Sequence, residues 1–131
     1  MQVRKVLNIE DLAIKHVAVR RALERCGVVR VDHATTAMEG LAMIDAAIEE
    51  GKPYDLLVSD MYYPIFPGEG EAQAGYYVIE ELQNKGIDIP IVVCSSARLV
   101  IPEIVGCIHY SPHRNDLDAD MREMVEIVRN M

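Results

Sequence analysis

The sequence predicts an α/β fold, a doubly wound parallel sheet of five strands with helices on both faces. Three observations carry the prediction. Short apolar runs alternate with helix-length amphipathic stretches along the whole chain. The run at Tyr54–Ser59 is continuously apolar at its centre, as a strand covered on both faces should be. The connections are short, which suits right-handed crossovers within one parallel sheet.

Strand one is read at Val3–Ile9 and is followed by a helix over Asp11–Cys26, with Ile14, Val17, Ala18, Ala22 and Leu23 at helical spacing. Gly27 stands where that helix would stop. Strand two is Val28–Asp32. Thr36-Ala37-Met38-Glu39 has the pattern of a capping box and opens a second helix, with Met38, Leu41, Ile44 or Asp45, and Ile48 as its apolar face. Gly51 and Pro53 end it. After strand three comes a long loop, Met61–Ala74, rich in Pro and Gly. A helix over Gly75–Lys85 follows, then strand four at Pro90–Cys94. Residues Ser95–Gly106 contain Pro102, so any helix there is short. Strand five is Cys107–Tyr110, and a last helix covers Asn115–Asn130 with Leu117, Met121, Met124, Val125 and Val128 on one face.

The chain has 131 residues, the size of one domain with one core, and half of them are apolar. A net charge of −8 argues against a nucleic-acid backbone as direct partner. No apolar stretch reaches membrane-spanning length and no signal-peptide pattern opens the chain, so no membrane association and a cytoplasmic location are expected. Cys26, Cys94 and Cys107 have no metal-ligand spacing and read as free thiols in a reducing compartment. His16, His33, His109 and His113 likewise lack ligand spacing and read as structural or exposed.

Two strands end in acids. Val6-Leu7-Asn8-Ile9 runs into Glu10-Asp11, and Asp55-Leu56-Leu57-Val58-Ser59 runs into Asp60. Ligands of doubly wound sheets bind at the carboxyl ends of strands. Adjacent parallel strands would gather these three carboxylates at one edge, where they repel unless a cation holds them. That is the outline of a Mg²⁺-assisted phosphoryl site. Glu10-Asp11 alone would read as the acidic start of a helix; with Asp60 on a neighbouring strand, the site reading is favoured.

These segments resemble the receiver domain of bacterial response regulators, and the resemblance covers essentially the whole chain. Val6–Asp11 matches the family's first strand with its acidic pair. Asp55–Pro64 matches the strand of the phospho-accepting aspartate and the proline after it, and Ile89–Ala97 matches the fourth strand with its terminal hydroxyl residue. The resemblance implies a flavodoxin-like, CheY-like receiver fold of strand order 2-1-3-4-5. It implies Asp60 as phospho-acceptor, and Mg²⁺ bound by Asp11, Asp60 and the backbone carbonyl of Tyr62, with Glu10 reaching the ion through water. It also implies Ser95 as the hydroxyl that meets the phosphoryl oxygen. The implied partners are a histidine kinase or phosphotransfer protein upstream and an unidentified protein downstream, with homodimerisation left open.

The departures from the family are specific. The family ends strand five in Lys-Pro; here the sequence is Ile108-His109-Tyr110-Ser111-Pro112. Aligning the prolines puts Ser111 at the lysine position, and a serine brings no positive charge. A second alignment makes Tyr110 the switch aromatic and puts His113 near that position. Ser111-Pro112 is expected to be cis, as in the family, and Arg98 or Arg114 is a candidate to replace the charge in space. The loop Ile65–Ala74 is longer than usual, and Tyr62 puts a bulky ring two residues after Asp60.

The leading expectation is a stand-alone receiver over residues 1–131 with no output domain. It would be a signalling domain rather than an enzyme, with at most self-catalysed phosphoryl transfer to Asp60, and would act through protein contacts in a phosphorelay. The alternative is a pseudo-receiver, a phosphorylation-independent interaction module. A haloacid-dehalogenase-type phosphatase needs an aspartate where Tyr62 stands. A flavodoxin-like phosphate loop is incompatible with Glu10-Asp11.

Overall fold

The computed structural model describes residues 1–113 and 117–131. Among the described residues nine elements follow in the expected order: β1 (Lys5–Ile9), α1 (Ala13–Arg25), β2 (Arg30–Ala34), α2 (Ala37–Glu49), β3 (Leu56–Ser59), α3 (Ala74–Asn84), β4 (Ile91–Ser95), β5 (Gly106–His109) and α4 (Leu117–Arg129). The sheet is fully parallel with order β2-β1-β3-β4-β5. Strand order reverses between β1 and β3, so the carboxyl ends of those two strands form the topological switch point.

Two apolar layers flank the sheet. Leu7, Ile9, Leu57 and Val93 face α2 and α3. Val6, Leu56, Val58, Val92 and Ile108 face α1 and α4. Residues alternate between these layers along each strand, as the pleat requires.

Several boundaries move from their sequence reading, each for a local reason. The first helix begins at Ala13, not Asp11, and has no acid in its first turn. Glu10 and Asp11 stay in the connection, and the Leu12 N–H donates to Glu10 Oε2 at 3.1 Å. Its buried face holds Lys15, His16, Val19, Ala22 and Leu23, while Ile14 is 76% exposed. Of the expected apolar positions Ala22 and Leu23 are buried, Val17 and Ala18 partly so, and the stripe is displaced at its start because Lys15 and His16 turn inward.

The same helix ends in a Schellman motif. Gly27 N–H donates to Glu24 O, Val28 N–H donates to Leu23 O, and Gly27 has φ +88°. Closing that motif occupies Val28, so strand two starts at Arg30. In α2, Thr36 Oγ1 accepts from Glu39 N–H at 3.1 Å, and the Glu39 carboxylate answers on Thr35 N–H. Met38 and Ile48 are partly exposed, and Ala37, Gly40 and Ala47 join Leu41 and Ile44 inside.

The long loop after β3 is tied down. Tyr63 exchanges two backbone bonds with Ala72, and its buried phenol meets Ser59 Oγ at 2.8 Å. The carbonyls of Pro64 and Ile65 accept from the N–H groups of Ala37 and Met38, the first turn of α2. Helix α3 then starts at Ala74, and Gly75 there is obligatory: a Cβ would stand 2.6 Å from Asp60 O and 2.9 Å from Met61 Cα.

Residues 96–105 contain no helix. The segment is short and Pro102 cannot donate to a helical ladder, so it crosses directly from β4 to β5. Ile101 is buried there, with Leu99 and Ile104 partly buried against the same core, and Val100 is 94% exposed. The Ser111–Pro112 bond is trans, and no described residue has a cis peptide. The trans form is the intrinsically favoured one, which corrects the family-based expectation.

Candidate functional site

The site stands at the carboxyl ends of β1 and β3. Two bonds extend the ladder one residue past each strand: Glu10 N–H donates to Ala34 O and Asp60 N–H to Ile9 O. This brings Glu10, Asp11 and Asp60 together, with one carboxylate oxygen of each within 4.8 Å of the others. Glu10 is buried, Asp60 half-buried and Asp11 exposed. Met61 N–H holds Asp60 Oδ1 at 2.7 Å. The three acids, Lys15 and Tyr62 line a cleft of about 380 Å³, closed on other sides by Leu12, Glu71, Ser96, Tyr110 and Pro112.

The sequence reading did not include Lys15. It comes from the first turn of α1 and is 3% exposed. Its Nζ lies 2.9 Å from Glu10 Oε1 and 3.1 Å from Asp60 Oδ2, and donates to Cys94 O, near the end of β4, at 2.7 Å. The ring of Tyr110 lies 5.2 Å from it. Burial alone would lower this amine's pKa, but Glu10 and Asp60 outweigh it and hold the ammonium above its ordinary value. Burial pushes the Glu10 carboxyl up to about 7; Lys15 pulls it back and Asp60 adds to the rise. Glu10 Oε1 has a cation beside it but no donor on a hydrogen-bonding line.

A divalent cation fits this donor set. With all groups ionised, three carboxylates against one ammonium leave a charge of −2, and hard oxygen ligands are what Mg²⁺ takes. Asp11 is on the exposed side, away from the buried Glu10–Lys15 pair, so an ion can enter from solvent.

The remaining site candidates do not line the acidic cleft. Ser95 ends β4 and is buried; its Oγ accepts from Ala97 N–H at 3.2 Å. Ser96, its neighbour, lines the cleft. Ser111 borders two other hollows, one with Arg21 and Arg25, the other with Arg98 and His109. Arg98 is not among the residues of the acidic cleft. Arg114 lies outside the described residues, as do Asn115 and Asp116 at the expected start of the last helix.

A polar column backs the site. Asn8, in the middle of β1, donates to Val58 O at 2.9 Å, which leaves its carbonyl oxygen for His16 Nδ1 at 2.7 Å. His16 therefore carries its proton on Nδ1. Its ring stacks on His33 with centroids 3.6 Å apart, and His33 Nε2 donates to Glu10 O at 2.7 Å. Burial lowers His16 to about 4, with His33 and Arg20 adding to the effect. One signal for this face was present in the sequence: Lys15, Val19 and Ala22 share one helical stripe, with His16 beside it.

No protein-family model matches the sequence, and no curated protein matches it. Solved structures do match in fold. A response regulator receiver domain protein from Clostridium thermocellum superposes with a TM-score of 0.70 at 19% identity, covering 97% of this chain and 94% of that one. The chemotaxis response regulator CheY4 of Vibrio cholerae gives 0.66 at 18% identity, over 97% and 99% of the two chains. The Mn²⁺-bound form of the response regulator Rcp1 gives 0.67 at 17% identity, over 92% and 91%.

Proposed function

From the premise that this chain has the CheY-like receiver fold over nearly its whole length, we propose that it is a response regulator receiver that accepts a phosphoryl group on Asp60. The observation that carries the reading is the gathering of Glu10, Asp11 and Asp60 at the ends of β1 and β3. Mg²⁺ would be held by Asp11, Asp60 and the Tyr62 carbonyl, with Glu10 reaching it through water, and would supply charge neutralisation during transfer. The Mn²⁺ in Rcp1's solved form supports a divalent ion in such a fold.

The chain's own groups prepare the acceptor. Met61 N–H holds Asp60 Oδ1, which leaves Oδ2 to attack phosphorus. A P–O bond forms to Asp60 as the P–N bond of a phosphohistidine, or the P–O bond of a small phosphodonor, breaks; a leaving imidazole takes up a proton. Ser95 Oγ accepts from Ala97 N–H, so its own proton remains to be donated to a phosphoryl oxygen. Ser111 holds the sequence position of the family lysine, without its charge. The upstream partner is a histidine kinase or phosphotransfer protein. In the family the helix between strands four and five belongs to the signalling face, and residues 96–105 here contain no helix, so the downstream partner would meet a different surface.

A second reading has one observation in its favour. Lys15 already neutralises part of the acid cluster without a metal, as a constitutive interaction module would need. Intact mass after incubation with Mg²⁺ and a small phosphodonor separates the two. The receiver reading expects one phosphoryl adduct, dependent on Mg²⁺ and absent in Asp60→Asn. No adduct from either a phosphodonor or a phosphohistidine donor, in folded protein that binds Mg²⁺, would favour the interaction module.

A further inference from the structure

The lysine that strand five lacks has a counterpart on a different element. We propose that Lys15, from helix α1, is the cation that meets the phosphoryl group on Asp60; the inference rests on the receiver reading above. Lys15 Nζ is 3.1 Å from Asp60 Oδ2, the oxygen that Met61 N–H leaves open. When Oδ2 attacks, the phosphoryl oxygens stand two bonds beyond it, beside an ammonium already in contact with Oδ2.

Its position is built. The amine is held from two further sides, by Glu10 Oε1 at 2.9 Å and by Cys94 O at 2.7 Å. Both the Lys15 and Glu10 side chains are nearly fully buried. Burying an ammonium costs several kcal/mol unless its charge is met, and the site meets it with the acceptor carboxylate itself. The other described candidates do not reach the cleft: Arg98 and Ser111 border separate hollows.

Transfer adds negative charge at Asp60, and the ammonium can follow it without leaving Glu10. Lys15 also links the acceptor to a helix rather than to β5. A pull on its Nζ would act on the first turn of α1, where Leu12 and Ile14 are exposed.

The test compares wild type with Lys15→Met, Lys15→Arg and Ser111→Ala. The readouts are the rate of adduct formation from a small phosphodonor by intact mass, Mg²⁺ affinity by calorimetry, and folding by circular dichroism. Lys15→Met should slow adduct formation roughly a hundredfold. The same variant should bind Mg²⁺ roughly tenfold more tightly, because the acid cluster has lost its internal cation. Lys15→Arg should restore part of the rate, and Ser111→Ala should slow adduct formation far less than Lys15→Met does. A folded Lys15→Met that forms adduct at the wild-type rate would overturn the proposal and leave the receiver reading standing. A folded, Mg²⁺-binding wild type that forms no adduct with either class of donor would overturn the receiver reading, and this assignment with it.

Discussion

The two faces of the sheet are covered by different means. Toward α2 and α3 the interior is almost purely apolar, with Leu7, Ile9, Leu57 and Val93 packed against Leu41, Ile44, Val78 and Leu82. Toward α1 the same depth holds Asn8, Lys15 and His16 as well, each with a named partner. One face holds the fold by burial. The other spends part of its burial on polar groups: Asn8 and His16 lead through His33 to the Glu10 carbonyl, and Lys15 meets the Asp60 carboxylate. Apolar groups can slide and repack at modest cost, whereas buried polar groups must keep their partners. The polar face therefore sets the site's geometry.

The contrast can be broken on its dry side first. Leu57→Ala removes a fully buried side chain at the centre of the sheet and should cost about 3–4 kcal/mol in denaturant unfolding. The cleft does not include Leu57, so Mg²⁺ affinity should stay near wild type as long as the variant is folded.

The polar side has a pH signature that the dry side lacks. His16 is held at about 4 in the folded protein, against an ordinary value of 6.5. Between those values the unfolded chain binds a proton that the folded one refuses. The stability His16 contributes is therefore full above the unfolded value and is lost as pH falls through the folded one, by on the order of 3 kcal/mol. Glu10, held at about 7 against an ordinary value of 4.5, has the opposite sign over the same range, so urea unfolding of the wild type should change little there, and His16→Gln should gain stability relative to wild type as pH falls. A variant that keeps the wild-type pH dependence would contradict this role for His16.

Smaller effects sharpen the comparison at the helix ends. Thr36→Ala removes the side-chain acceptor for Glu39 N–H and should cost about 1 kcal/mol in the same assay. Arg25→Ala breaks an ion pair with Asp118 whose side chains are 60% and 40% exposed. It should cost no more than about 0.5 kcal/mol, less at high salt.

The same contrast explains what the sequence made legible. The alternation of elements and the three acids follow from apolar runs and the residues that end them, the strongest signal a single sequence carries, whereas the strand order came from the resemblance to receivers. The capping box at Thr36 and the stop at Gly27 are local chemistry and were readable as such. Helix α1 and the buried Ala22 and Leu23 were legible, but the inward turn of its start was not, because Lys15 and His16 look like surface residues until Glu10, Asp60 and Asn8 stand opposite them. Lys15 meets Cys94 O across 79 positions, a pairing that no local pattern encodes. The start of β2 moved because the Schellman closure takes Val28, which reads as a strand residue by composition alone. The long loop reads as free chain, yet Pro64 and Ile65 cap α2 through backbone carbonyls, which leave no mark in residue type.

The central claim is that Asp60 is a phospho-acceptor whose lysine comes from α1. The most direct measurement is a crystal structure with Mg²⁺ and beryllofluoride, a mimic of an acyl phosphate. The account predicts beryllium bonded to Asp60 Oδ2, Mg²⁺ between Asp11 and Asp60, and Lys15 Nζ within hydrogen-bonding distance of a fluoride. A beryllofluoride group on Asp60 with Lys15 still confined to Glu10 and Cys94 O, or with the cationic side chain of another residue in contact with the fluorides, would contradict it.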